Sequence, residues 1–122
     1  MGVKSYKDLI VWQKSIDLVK EIFLLTKAFP ATEVYGLTSQ LRRASVAIPS
    51  NIAEGSGRRS AKEYAYFYSI AYGSALEVET QIIIAKELRF ATSKNCVTID
   101  MLIDEILRML NTIVSNSRKA NV

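Results

Sequence analysis

The chain contains no histidine and a single cysteine, Cys96, among its 122 residues. The absence of histidine excludes Ser-His-Asp and Cys-His nucleophile systems and most zinc and iron sites. One cysteine cannot form an intramolecular disulfide, which agrees with a reducing compartment, and we expect it in a loop or at a helix edge without a reactive role. We therefore predict that the protein is not an enzyme and binds no metal or cofactor.

Proline and glycine, which interrupt helices and strands, and long apolar runs are also scarce. The chain has 2 Pro and 5 Gly, which argues against long loops and disorder. No apolar run reaches the length of a membrane span, and the N-terminal sequence MGVKSYKD lacks the apolar core of a signal peptide. These absences predict a cytoplasmic protein. An apolar content of 49% over 122 residues is typical of one domain with its own core, predicted here as residues 1–122.

The apolar residues that are present recur with the period of an α-helix in four segments. In the first, Leu9, Trp12, Ile16, Val19 and Phe23 are separated by 3, 4, 3 and 4 positions. The same criterion predicts helices at about 8–28, 38–54, 61–90 and 99–116. Amphipathic helices with short connectors and no period-2 alternation favour an all-α fold, an antiparallel up-down four-helix bundle.

Several helix starts carry capping residues. Thr38 and Thr98 are the predicted N-caps of the second and fourth helices, since a threonine hydroxyl accepts from a backbone amide two or three residues on. Ser60 and Glu63 form the pattern of a capping box before the third helix.

The second helix contains a proline, Pro49, within its apolar stripe. The helix either ends near Ile48 or continues with a kink and without the hydrogen bond that proline cannot donate. Because the apolar stripe resumes at Ile52, we favour continuation to about Glu54, with the glycines of 55–57 as the stop.

Basic residues are concentrated in the middle third of the chain. The net charge is +4, an excess that permits contact with nucleic acid without demanding it. The candidate nucleic-acid-binding residues are Arg42, Arg43, Arg58, Arg59 and Lys62. Arginine side chains and free amides at a helix start suit phosphate oxygens, so the predicted contact is to the backbone of RNA or DNA. The alternative is a solvated helix edge with intramolecular ion pairs.

Four tyrosines occupy the beginning of the third helix: Tyr64, Tyr66, Tyr68 and Tyr72. Tyrosine suits a half-wet surface, and four on one helix are more than a monomeric bundle needs to hide. We interpret them as an oligomer interface and predict self-association. The alternative is a base-stacking platform beside the arginines.

Later in the third helix, two carboxylates and a run of small residues allow further predictions. Glu77 and Glu79 lie two positions apart, so they point about 200° away from each other and do not form an acid–base pair. We predict instead that one of them pairs with an arginine of the second helix, such as Arg42. The run Gly73-Ser74-Ala75 either lets a neighbouring backbone approach closely or is simply tolerated.

Four segments together resemble one bacterial family. They are LIVWQKSIDLV (9–19), the FPATEVYGLT join (29–38), YGLTSQLRRASVAIPSNIAEGSGRRSAKE (35–63) and IAYGSALEVETQI (70–82). The chain is similar over nearly its whole length to the family named for the protein encoded in 23S rRNA intervening sequences. The central motif is long enough to be specific.

The resemblance implies a left-handed four-helix bundle and favours a homopentamer with a basic surface, since some relatives form such rings. A related accessory protein of diversity-generating retroelements binds a reverse transcriptase and nucleic acid, which makes proteins of that kind possible partners. Most members have no assigned role. The predicted function is a self-associating bundle that binds nucleic-acid backbone or a nucleic-acid-handling protein; the alternative is an interaction or scaffold module with no nucleic-acid role.

Overall fold

The computed structural model describes residues 5–120, with side chains described for 5–116, and this part of the chain forms four α-helices and no strand. They are α1 (Ile10–Thr26), α2 (Leu37–Ser56), α3 (Ala61–Glu87) and α4 (Val97–Ala120). The all-α class with four helices is thereby confirmed. Each helix packs against two others, in the order α1, α2, α3, α4 and back to α1. This closed order is compatible with the predicted up-down topology, and the handedness stays a prediction.

One stripe of each helix builds the core. The apolar periodicity of the sequence places Leu41 and Ile48 of α2, Val78 of α3 and Ile106 of α4 at full burial. In α1 the predicted stripe is wrong by one position: the buried face carries Val11, Ser15, Leu18 and Ile22, whereas Trp12, Ile16 and Val19 are half-buried and Phe23 is exposed, because Phe23 packs on Arg42 at the edge of the bundle. Helix–helix packing of this kind supplies the main stabilisation, because isolated helices of this length are marginal in water. None of the helices in the described part of the chain is both long and apolar enough to cross a bilayer.

The helix starts differ from the sequence prediction because groups outside the helices satisfy the first amides. The second helix begins at Leu37, whose amide donates to Oε1 of Glu33 at 3.1 Å, so a carboxylate lies at the positive end of α2. Thr38 is therefore in the first turn of α2, and Thr98 is likewise inside α4; both predicted N-caps are wrong. The first helix was predicted from residue 8, where the structure has a 3₁₀ turn, Tyr6–Asp8.

The second helix continues through Pro49, as predicted, and ends only at Ser56. Gly55 is thus inside the helix and does not stop it, and Gly57 is the C-cap. A β-carbon on Gly55 would lie 2.8 Å from Cδ1 of Tyr68 and 3.0 Å from Cβ of Phe67. Gly55 therefore allows α2 and α3 to approach closely where they diverge from their shared turn.

The third helix begins at its predicted cap and ends earlier than predicted. The Ser60 hydroxyl accepts from the Glu63 amide at 3.1 Å, whereas the reciprocal bond of a capping box is absent among the described residues. At the other end, Arg89 has φ 63°, and the Phe90 amide donates to the Ala85 carbonyl at 2.8 Å. This geometry is a Schellman motif, which ends α3 at Glu87 instead of continuing to residue 90.

Candidate interaction surfaces

Arg42, one of the five basic residues, is held by α1. Its Nε donates to Oγ1 of Thr26 at 2.9 Å, and its guanidinium carbon lies 4.7 Å from the centre of the Phe23 ring. The predicted ion pair between one of Glu77 and Glu79 and an arginine of α2, such as Arg42, is wrong: no described side chain forms an ion pair with either carboxylate, and both are exposed. Arg42 therefore joins α2 to α1 through a hydroxyl and an aromatic face, an environment that needs a planar cation.

Arg58 is also occupied within the chain. Its Nη2 donates to Oε2 of Glu54 at 2.9 Å, and its guanidinium carbon lies 4.7 Å from the centre of the Phe67 ring. The ion pair is an exposed one between positions i and i+4, worth about 0.3–0.5 kcal/mol. Arg58 thus bridges the end of α2 and the beginning of α3, and part of its charge is already compensated.

The other three basic residues, Arg43, Arg59 and Lys62, are exposed and form no ion pair with any described side chain. They are not contiguous. With a rise of about 1.5 Å per residue, Arg43 and the α2–α3 turn that carries Arg59 lie about 20 Å apart along α2. Between them α2 presents uncharged residues, Ala47, Ser50 and Asn51, and then Glu54. The basic surface consists of two separated groups, not one continuous edge.

The four tyrosines point in different directions. Tyr68 is only 1% exposed and its hydroxyl lies 2.8 Å from Oγ of Ser56, so this side chain belongs to the core and has no surface to offer an interface. Tyr64 stacks on Tyr68 with ring centres 4.4 Å apart, and burial, with the neighbouring Tyr68, raises the pKa of Tyr64 to about 12. Tyr72 is half-buried, and Tyr66 is 61% exposed. The assignment of these residues to an oligomer interface stays a prediction for the three that retain exposed surface.

A second stripe of α3 faces away from the core. Its members include no charged residue; they are Tyr66, Ser69, Gly73, Leu76, Thr80, Ile83 and Ile84. They recur at spacings of 3 and 4 as far as Ile83, and Ile84 lies four positions after Thr80. Ile83 is 54% exposed and Ile84 41%. Spacings of 3 and 4 are those of a seam between two helices. We call these seven residues the outer stripe; it is an uncharged face opposite the core face of α3, with Leu76, Ile83 and Ile84 as its aliphatic members.

A groove of about 350 Å³ runs along the outer stripe. Six residues of α3 and one of α2 line it: Gly73, Leu76, Glu77, Thr80, Gln81, Ile84 and Gln40. A β-carbon on Gly73 would meet no atom within 4 Å, so none of the described residues approaches this glycine. The close approach anticipated for the small residues does not occur at Gly73 within the chain, although Ser74 and Ala75 beside it are buried.

Gln81 is the polar residue of this region that sequence reasoning did not single out. It is only 8% exposed, and its Oε1 has no hydrogen-bond partner among the described residues. The helical period places residue 81 at the margin of the core stripe of α3, next to the buried Ile82. The periodicity indicated burial, but it gave no sign that the amide would lack a partner.

Groups with the potential for catalysis or metal binding are dispersed. Cys96 is buried at the end of a 3₁₀ turn, and burial raises the pKa of its thiol. In the described part of the chain, no three residues of the types His, Cys, Asp and Glu are close enough together to hold a metal ion. Glu77 and Glu79 are both exposed on α3 and show no shared partner.

Comparison with known proteins identifies the family and the fold. A solved structure from Bacteroides thetaiotaomicron, described as a protein with unknown function from the S23 ribosomal protein family, has a TM-score of 0.77 and 20% sequence identity; the match covers 86% of this chain and 98% of that one. At that identity the likeness shows the fold alone. No curated protein matches. Residues 7–112 match the sequence profile of the 23S rRNA-intervening sequence protein, and the chain therefore belongs to this family.

Proposed function

We propose that this protein is a non-catalytic, cytoplasmic binding module that self-associates through the outer stripe of α3. The observation that carries the proposal is an uncharged helical face with seam-like spacing, on a helix whose opposite face already lies in the core. Lys62 and Glu87, one turn beyond either end of the stripe, are of opposite charge. Two antiparallel copies of α3 would bring each lysine close to the other copy's glutamate.

The apolar members of the stripe supply the driving force. Burying an aliphatic side chain that is exposed in the monomer is worth up to about 1.5–3 kcal/mol, and a symmetric contact counts each residue in both copies. Gly73 contributes in a different way, because its lack of a side chain leaves open space for a group of the partner. A symmetric contact of this kind closes as a dimer, whereas a ring of several copies, as the family resemblance favours, would need the outer stripe to contact a different surface of the next copy.

The test is the solution mass, measured by light scattering from about 1 to 100 µM, a range that spans typical weak and moderate affinities. We expect the wild-type protein to exceed its monomer mass of 13.7 kDa. Ile83→Lys should shift it to the monomer, because it places a charge in the apolar contact. Met101→Lys is the matched control, since Met101 is 55% exposed on α4, outside the stripe. A monomeric wild type, or an Ile83→Lys variant of unchanged mass, contradicts the proposal.

A second candidate function is contact with the backbone of RNA or DNA. The observation that favours it is the exposure of Arg43, Arg59 and Lys62 without an intramolecular partner. Self-association supports it further, because several copies held in one assembly present Arg43 and Arg59 repeatedly and bind with avidity, even where Lys62 is close to Glu87 of another copy. The same residues could contact an acidic surface of a nucleic-acid-handling protein.

Fluorescence titration of labelled RNA at about 50 and 200 mM salt tests this second candidate. Replacing Arg43, Arg59 and Lys62 together by Ala should reduce the slope of log K against log salt by about 2, as expected for three lost phosphate contacts. The matched control removes three exposed lysines elsewhere, Lys20, Lys27 and Lys94. Equal losses in both triple variants would indicate unspecific attraction by net charge, and no binding at the lower salt would end the nucleic-acid hypothesis.

A further inference from the structure

Gln81 leaves a hydrogen-bonding requirement unmet in the single chain. The residue is 8% exposed, and its Oε1 is buried without a donor among the described protein atoms. A buried acceptor without a donor destabilises the fold. If another molecule supplies the donor, the new hydrogen bond makes the free energy of binding more favourable. Rotation of the amide does not remove the problem, because it would bury the donor end instead. Gln81 therefore favours a bound group that carries a hydrogen-bond donor.

The groove beside Gln81 has room for one inserted side chain. The space above Gly73 is open, and Leu76 and Ile84 provide apolar walls on either side. The polar residues Gln40, Glu77 and Thr80 also line the groove, and Gln81 forms part of its wall. Because Oε1 of Gln81 is itself buried, a group that enters the groove reaches it once the Gln81 side chain turns toward the groove. The groove therefore suits an aromatic ring that carries a hydrogen-bond donor at its tip.

The chain itself carries such a group on its surface. Tyr35, in the connector between α1 and α2, is 95% exposed and makes no ring contact or hydrogen bond with any described residue. Its neighbour Val34 is 52% exposed. A tyrosine presented in this way has few side-chain torsions to immobilise on binding, and tyrosines are frequent anchors of protein interfaces. Tyr66, the other strongly exposed tyrosine, already packs edge-on against Phe67, with ring centres 5.1 Å apart.

We infer that Tyr35 of one copy inserts into the groove of a second copy, over Gly73, and donates its hydroxyl proton to Oε1 of Gln81. This inference rests on the proposed self-association and names the residues that give it specificity. Each copy carries both the inserting side chain and the receiving groove. The contact closes when two copies exchange Tyr35 side chains, or when successive copies complete a ring.

The first experiment measures the association constant of single and double variants by sedimentation equilibrium. Tyr35→Phe keeps the ring and removes the donor, and we expect dissociation to become about tenfold easier for each Tyr35 contact in the assembly, the usual effect of one buried hydrogen bond. Gln81→Leu should have a similar effect, and the double variant should be no weaker than either single one. Tyr6→Phe, which removes a hydroxyl far from the groove, should leave the constant unchanged. Additive losses in the double variant would overturn the hydrogen bond.

The second experiment mixes two variants, each of which lacks a different half of the proposed contact. Tyr35→Ala removes the inserting side chain and leaves the groove intact, whereas Gly73→Leu fills the groove and leaves Tyr35 intact; the open space at Gly73 means that the leucine can be accommodated in the fold. Each variant alone should be largely monomeric. Their mixture should form a one-to-one pair and nothing larger, because one side chain and one groove remain.

The outcomes separate this inference from the proposed function. A wild type that assembles, is dissociated by Ile83→Lys and is unaffected by Tyr35→Ala would contradict the inference and leave the outer stripe as the interface. Loss of assembly in Tyr35→Ala with normal assembly of Gly73→Leu would contradict the groove as the receiving site. A monomeric wild type would overturn both proposals.

Discussion

At the scale of single residues, two glycines of the bundle have opposite environments. Gly55 lies inside α2 against Tyr68 and Phe67, while Gly73 lies on the open face of α3. Both are glycines within helices, so propensity alone predicts the same gain of about 1 kcal/mol when either becomes alanine. The surroundings decide the sign of the actual effect.

We expect Gly55→Ala to lower the free energy of unfolding by about 1–3 kcal/mol, because the new methyl group would overlap the tyrosine ring and the β-carbon of Phe67. Gly73→Ala is the matched control and should raise the free energy of unfolding by up to about 1 kcal/mol. Urea denaturation of both variants, at a concentration where the protein is monomeric, gives the two values. Stabilisation by Gly55→Ala would show that α2 and α3 can separate at this point without cost.

At the scale of the elements, the sequence predicted the number and type of helices but not their ends. The stripe from Leu37 to Ile52 was sufficient to carry α2 through Pro49, because burial of the stripe outweighs one missing hydrogen bond. The start of α2 was missed because its first amide is satisfied by Glu33, a residue outside the helix whose reach depends on the folded connector.

The end of α3 was missed for a related reason. A Schellman motif usually has glycine at its left-handed position, whereas here that position is Arg89, so the sequence carries no stop signal.

The candidate surfaces could also be predicted only in part, because they depend on contacts between helices. Arg43, Arg59 and Lys62 could be selected by type and position, but the occupation of Arg42 by Phe23 and Thr26 depends on a neighbouring helix, which periodicity does not describe.

Arg89 provides a prediction at this scale. An L-residue in the left-handed region costs about 1–2 kcal/mol relative to glycine, so Arg89→Gly should stabilise the protein by about 1 kcal/mol. Arg89→Ala removes the same charge and keeps the β-carbon, and it should give no such gain. Thermal unfolding followed by circular dichroism compares the two variants. Equal stabilisation by both would assign the effect to charge instead of backbone strain.

At the scale of the whole molecule, α3 has two roles: it packs in the core of its own chain, and it carries the surface that we propose for contact with a second copy. Its inner face packs with α2 and α4, and its outer stripe is the uncharged surface that we assign to a second copy. The family assignment fixes the fold but does not name a partner. The proposed contact through the outer stripe and its groove therefore rests on the residues of this chain alone.

If copies associate in this way, the midpoint of thermal unfolding should rise with protein concentration, because mass action stabilises the folded, assembled state. Differential scanning calorimetry over about a hundredfold range of concentration detects the change, which should amount to a few degrees for a domain of this size. Ile83→Lys should show a constant midpoint, and Met101→Lys should follow the wild type. A concentration-independent wild type would argue that folding and association are not linked.

The buried cysteine has one more consequence. Cys96 is fully buried in the turn between α3 and α4, beside the ion pair in which Nζ of Lys86 lies 2.7 Å from Oδ2 of Asp100. A thiol reagent can reach it only when this end of the bundle opens transiently. Because the chain has 1 Cys, the labelling rate reports a single event at a known position. Cys96 can therefore report local opening at this end of the bundle, since its labelling rate can be followed by mass spectrometry without introducing another cysteine.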